Sequence, residues 1–356
     1  MPTGWARRSA SFGHPVKVYA GMNPRLSLPA CIAHARRVEA VGYDGLHVPE
    51  TVHDSLAVSL LVADHTERIT IRTSVTLAFA RSPTLTAYTA WDLARFSRGR
   101  FQLGLGTQIR QNIEERYGMP WSDPVERMRE YLDVLDALYT SFRTGAAPRH
   151  EGRHYRVTRL QPYFNPGPDP DTAPPPTYLG GVNVGICRLA GERAAGFVTH
   201  PTNSTPQYLE TMCRPNLLAG AARAGRDLAD LEVVCGTQVI TGPTRRRLEA
   251  ERQRQRRLFA FLYSTPAYRP TLERSGFGDR LPRLQAMVRT DRWDDLDEVV
   301  TDDVLDAVVP IATYDELSAV LLERFGALAD AILLPLPPDP ADDAALGNVI
   351  GELQRA

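Results

Sequence analysis

One pattern governs what this chain can become: short apolar runs alternate, along its length, with stretches of helical period. Val16 to Ala20 precedes a helix over Leu28 to Val41, and Gly45 to Val48 precedes one near Leu56 to Thr66. ITIRTSVTLA comes before a helix from about Thr84 to Phe96, and FQLGLG before a long helix from about Pro124 to Phe142. A proline-rich stretch, about 145–176, interrupts the rhythm, and its segments HYRV and RLQPYF read as an excursion. TYLGG, GFVTH and LEVVCGTQVI then read as strands five, six and seven, with helices at about Val184 to Ala195 and Pro206 to Ala224 between them. The arginine-rich RRRLEAERQRQRRLFAFLY opens a second insertion, about 245–300, whose like charges are expected to form a solvated face. Strand eight falls at AILLPL, Ala331 to Leu336, with a closing helix after Asp342.

Eight strands separated by helices imply an α/β fold, a (β/α)8 TIM barrel, rather than an open doubly wound sheet. It is expected as a single domain over 16–356 behind an N-terminal tail of residues 1–15, with the two insertions after strand four and between strands seven and eight. In such a barrel the chemistry sits where strands end. The informative segments are therefore PETVHD, TLAFARSP, GTQIRQNIE, GGVNVG, THPTNS and GTQVITG.

Composition narrows the function. At 356 residues and 43% apolar content the chain can bury a core of this size. A formal net charge of −1 and a pI near 6.7 give no global field for nucleic acid or a membrane surface, so an anionic ligand has to be held by local donors. Lys17 is the only lysine among 41 basic residues, the mark of a GC-rich coding genome rather than of a site. Cys31, Cys187, Cys213 and Cys235 are scattered without metal-ligand spacing, which points to no metal and to a reducing cytoplasm. No stretch approaches the roughly 18 apolar residues of a membrane span. A cytoplasmic protein acting on a small molecule is the expectation.

The glycine pair in RFQLGLGTQ, Gly104 and Gly106, invites a nucleotide-loop reading, but the third glycine of a dinucleotide fingerprint falls on Ile109. A buried strand whose glycines admit a close neighbour is the plain alternative. GGVNVG is a better anion loop: a strand ends in two glycines and a helix begins near Val184, so free backbone N–H groups and the positive helix end can face an anion. Asn183 reads equally well as a plain N-cap.

Four blocks in order, ARRVEAVGYDGLHVPETVHD, LAFARSPTLTAYTAWDLARFSRGRFQLGLGTQIRQNIEERYGMPW, YLGGVNVGICRLAGERAAGFVTHP and STPAYRPTLERSGFGD, resemble the luciferase-like oxidoreductases that use a flavin or the deazaflavin coenzyme F420. Within that superfamily the chain is most similar to the F420-dependent subgroup. The resemblance implies F420 as cofactor, with FMN as the alternative, and a homo-oligomer, a dimer paired through outer helices. It places Gly106, Thr107 and Gln108 under the deazaflavin ring and Gly180, Gly181, Val182 and Asn183 at its phosphate. It also implies a non-proline cis peptide at Ser74–Val75 that pushes a bulge against the central ring. Gln108 stands where some relatives that act on sugar phosphates or alcohols carry a glutamate, so their acid/base scheme does not carry over.

For the substrate proton the candidates are Glu50 and His53 in PETVHD, with Asp54 placed to orient His53, and His200 in THP. E-x-x-H-D at a helix start also fits a capping arrangement. His47, inside strand two, reads as a packed histidine, while Arg81 and Arg110 are placed to meet an acidic cofactor tail or substrate, or else the solvent. The sequence leaves three functions open: an F420-dependent hydride transfer to or from an activated C=C, an imine or an alcohol/carbonyl; an FMN-dependent monooxygenation with dioxygen; or non-catalytic flavin binding.

Overall fold

The computed structural model describes residues 15–356, so nearly all of the expected 1–15 tail lies outside the described residues. Eight barrel strands are present: β1 Lys17–Gly21, β2 Gly45–Val48, β3 Thr70–Thr73, β4 Phe101–Gly106, β5 Thr177–Gly181, β6 Gly196–Thr199, β7 Glu232–Cys235 and β8 Ala331–Leu333. They lie in the order β3-β2-β1-β8-β7-β6-β5-β4, and β3 pairs again with β4 through Ile71 and Phe101, so the sheet closes into a (β/α)8 barrel. Both faces of such strands are covered, which is why they read as continuous apolar runs: Leu46, Ile71, Leu103, Leu179 and Ile332 are fully buried.

The helices between them are α1 Leu28–Val41, α2 Ser55–His65, α3 Pro83–Phe96, α4 Pro124–Thr144, α5 Val184–Arg193, α6 Arg214–Arg223, α7 Arg245–Tyr263, α8 Tyr314–Phe325 and α9 Asp343–Arg355. Their ends are written in local chemistry. Asp54 caps α2 by accepting from Leu56 and Ala57 N–H, and Ser82 caps α3 just before Pro83, whose missing N–H would have had no partner there. Gly145, at φ 75°, ends α4 in the left-handed conformation that glycine adopts without a Cβ clash.

Two runs expected to be single strands are divided. ITIRTSVTLA breaks after Thr73, bulges at Ser74–Val75, and resumes at Thr76–Leu77 beside Leu105 and Gly106. LEVVCGTQVI holds β7 and then Ile240–Gly242, which leaves the barrel to pair with Ile311–Thr313. The second insertion is framed by that small parallel pair and extends past 300, through the helix Asp302–Val308. It also has its own core, including Phe259, Tyr263, Leu272, Leu284 and Leu305, each such buried side chain contributing about 2 to 3 kcal/mol. The expected solvated face of α7 is only partly so: Arg252 and Arg256 keep 16% side-chain exposure and pair with Asp302, Arg252 also with Asp306. The first insertion contributes a short hairpin, His150–Glu151 with Arg156–Val157, and the turn Pro162–Phe164. No helix among the described residues is long and apolar enough to cross a membrane.

By compactness the chain divides into two units, one of Met22–Glu39 with Gly45–Gly180, the other of Ala40–Asp44 and Gly181–Ala356 with the residues up to Gly21.

Candidate active site

In the first unit the strand ends meet at the bulge. The Ser74–Val75 peptide is cis, the conformation that the resemblance implies, and Ser74 N–H is anchored to Val48 C=O at 2.8 Å. A Cβ added at Gly106 would run into the Val75 side chain, and one at Gly104 into the Thr73 carbonyl. The two glycines of LGLG therefore make room for protein atoms of the neighbouring strand. Gln108 takes a left-handed φ of 61°, and its side-chain oxygen accepts from its neighbour Ile109 N–H at 3.0 Å.

Glu50, at 7% side-chain exposure, is braced on both oxygens: Oε1 by the Arg81 guanidinium at 2.8 Å, Oε2 by Ser55 Oγ at 2.8 Å and Leu77 N–H at 3.4 Å. Thr76 Oγ1 lies 2.8 Å from Ser55 Oγ and extends the brace. Glu50 thus holds the chain just beyond the bulge. Burial alone would lower the Arg81 pKa, but Glu50 and Asp54 beside it raise it, so Arg81 is a fixed cation in an ion-pair network rather than a free arginine at a ligand. Arg110 pairs with Glu114 at the surface. Asp54, expected to orient His53, instead caps α2 and accepts from Arg81 at 3.1 Å; the capping reading of E-x-x-H-D holds for Asp54.

His53 is half-buried, and its Nε2 lies 2.9 Å from Leu26 C=O. A carbonyl only accepts, so Nε2 carries the proton and the neutral ring keeps a lone pair on Nδ1. His47 is packed as expected, 2% exposed and 3.1 Å from Arg72 Nη1, and burial drives its pKa well down, with the Arg72 charge adding to the effect.

In the second unit, β5 ends at Gly181 and α5 begins at Val184, with Asn183 Oδ1 capping Ile186 N–H at 3.0 Å. That cap leaves the N–H groups of Asn183, Val184 and Gly185 without an acceptor among the described residues. Three consecutive amides at the positive end of a ten-residue helix form a concave anion cradle. A Cβ at Gly181 would strike Ile186 at 2.5 Å, so Gly181 serves the packing of α5 on its own loop as well.

His200 comes directly after β6. Its Nδ1 lies 2.8 Å from Thr202 Oγ1, its ring stacks on Tyr268 at 4.7 Å between centroids, and burial lowers its pKa to about 4. Asn203 donates to Thr271 and so presents its oxygen to the Thr202 hydroxyl, which leaves the Thr202 oxygen to accept from His200 Nδ1–H. His200 is held neutral, hydrogen-bonded on one side and stacked on the other. Among the described residues no three His, Cys, Asp or Glu side chains gather as a metal site, and all four cysteines are buried and free. Tyr208, whose phenol bonds to the anion cradle, had no sequence signal, because the partner it meets is a backbone carbonyl 26 residues away.

A closed parallel barrel with its polar groups and an anion cradle at strand ends is the architecture of a barrel enzyme that binds a phosphorylated ligand. The family model described as Luciferase-like monooxygenase matches residues 10–331, and the chain belongs to that family. It is 36% identical over 311 residues to an uncharacterized protein of Mycobacterium tuberculosis, covering 86% of this chain and 91% of that one. It is 30% identical over 283 residues to an F420-dependent glucose-6-phosphate dehydrogenase of Nakamurella multipartita, covering 77% and 76%. The fold is similar to that of a coenzyme F420-dependent tetrahydromethanopterin reductase from Methanopyrus kandleri, at 19% identity, a TM-score of 0.79 and 95% and 98% coverage. The chain is an enzyme of the luciferase-like oxidoreductases.

Proposed function

We propose that this enzyme is a coenzyme F420-dependent oxidoreductase that moves a hydride between the deazaflavin and a small organic substrate carrying an activated C=C, an imine or an alcohol/carbonyl. The observation that carries the reading is the cradle of unsatisfied N–H groups at Asn183, Val184 and Gly185, which suits a phosphate in a chain with no global positive field. Relatives named for F420 dependence support the deazaflavin over other phosphorylated ligands. When bound, the deazaflavin supplies a hydride acceptor and donor. Gly180 and Gly181 give its phosphate close access to the backbone, and the Ser74–Val75 bulge with Gly106, Thr107 and Gln108 supports its ring.

The proton falls to His53 rather than to Glu50. His53 has an open Nδ1 lone pair and works near neutral pH, whereas Glu50 would have to give up Arg81 to take part. His200, neutral and tied to Thr202, is a polar contact for substrate rather than a proton carrier. Titration of the purified protein with oxidised and reduced F420 and with FMN tests the cofactor: saturable F420 binding is expected, and binding of FMN alone would replace this reading with the monooxygenase one. His53→Ala should leave F420 affinity within about twofold and lower turnover by about 10² to 10⁴-fold, the usual contribution of a general acid or base. Turnover at the parental level would move the proton elsewhere.

A further inference from the structure

Tyr208 lies outside every strand-end motif, in the single turn Pro206–Tyr208 that Thr205 caps, and is 1% exposed. Its phenol donates to Val182 C=O at 2.5 Å. The Arg274 guanidinium, from the helix Arg269–Arg274 of the second insertion, sits 5.6 Å over its ring. Burial pushes the phenol pKa up, so it stays a protonated donor.

We propose that Tyr208 is a positioning residue for the anion cradle: by holding Val182 C=O it fixes the Val182–Asn183 peptide with the Asn183 N–H turned toward the phosphate. The inference rests on the phosphate reading above. The physical step is short. This peptide is not among the cis bonds of the chain, and in a planar trans peptide C=O and N–H point to opposite sides. With the carbonyl turned inward to Tyr208, the Asn183 N–H faces the open side of the loop, where Asn183 and Val184 are exposed. It thereby joins the amides of Val184 and Gly185. Without the phenol, nothing else among the described residues holds this carbonyl, and rotation of the peptide would replace a donor by an oxygen facing an anion.

Tyr208→Phe keeps the ring, its packing and its Arg274 contact and removes only the hydroxyl. Dissociation constants are measured for F420 and for its phosphate-free 8-hydroxy-5-deazaflavin chromophore, and in parallel for FMN and riboflavin, on parent and variant. The parent is expected to prefer the phosphorylated form. The variant should bind that form about ten- to a hundredfold more weakly, the worth of one hydrogen bond to a charged group, and bind the phosphate-free form as the parent does. Equal weakening of both forms, or of neither, overturns the role. A parent without preference for the phosphorylated form brings down the phosphate reading itself, and the inference with it. Asn183→Pro deletes the N–H directly and is expected to give the same selective loss, with the double variant losing no more than the worse single one; additive losses would show that the two groups do not act as one.

Discussion

The same clasp is built once in each unit. In the first, Gly104 N–H donates to Thr73 Oγ1 at 2.9 Å; in the second, Gly236 N–H donates to Thr199 Oγ1 at 2.9 Å. At both, an added Cβ would run into the carbonyl oxygen of the same threonine. Both run on into a Gly-Thr-Gln turn in which the threonine hydroxyl bonds to the glutamine carbonyl, Thr107 to Gln108 and Thr237 to Gln238. The continuation past each clasp threonine differs. Thr73 leads into the cis Ser74–Val75 bulge, whereas Thr199 leads into His200 and the turn Pro201–Asn203. A glycine at a strand end is thus explained by the barrel wall, in both units and without any ligand. The specialised chemistry begins one residue past the clasp threonine.

The largest effect is expected where the clasp itself is filled. Gly104→Ala and Gly236→Ala each place a methyl group on a backbone carbonyl that cannot swing away, and each should lower the unfolding free energy by about 3 kcal/mol. Urea unfolding of the two variants side by side checks the comparison. If one is tolerated to within about 0.5 kcal/mol while the other collapses, the two clasps are not equivalent and the likeness is superficial.

His200, the residue directly past the clasp threonine of the second unit, gives a pH signature of similar or slightly smaller size. Burial lowers its pKa to about 4, below the unfolded value near 6.5. Between these values the unfolded chain binds a proton that the folded chain does not, so stability must fall as pH drops from about 7 toward 4, and the loss levels off below the folded pKa. A shift of that size corresponds to a loss on the order of 3 kcal/mol, and His47 adds to it with the same sign. His200→Gln should flatten the dependence of unfolding free energy on pH over that window while leaving the His47 part. An unchanged slope would mean that His200 is solvated and titrates normally.

These contrasts also mark what the sequence could show. The barrel was legible because strand–helix periodicity is a property of the chain read locally, and cap residues such as Asp54 and Ser82 lie within a few positions of what they cap. The cradle at GGVNVG was legible for the same reason, since its amides and Asn183 are neighbours in sequence. The bracing role of Glu50 was not, because its partners, Arg81 and Leu77 N–H, arrive from another strand end, about 30 residues on. The clasps were invisible for a related reason: each threonine and its glycine are 31 and 37 residues apart, and only pairing of the strands joins them. α7 looked solvated because the acidic partners of its arginines, Asp302 and Asp306, come some 50 residues later.

The smallest effect separates the bulge from the clasp. Gly106 lies two residues beyond the clasp glycine of the first unit, and its missing Cβ leaves space that Val75 occupies, whereas the position two residues beyond Gly236 is Gln238, with no such demand. Gly106→Ala should cost about 1 to 2 kcal/mol, less than Gly104→Ala, because the obstructing group is a side chain that can shift rather than a carbonyl in the sheet. The same geometry dictates the compensating change. Val75→Ala shortens the obstructing branch and should restore most of the stability of Gly106→Ala, yet do nothing for Gly104→Ala, whose clash is with Thr73 C=O. Rescue of both, or of neither, in a double-mutant cycle of unfolding free energies would mean that the bulge and the clasp are one packing unit, and the division drawn between barrel wall and specialised strand end would not stand.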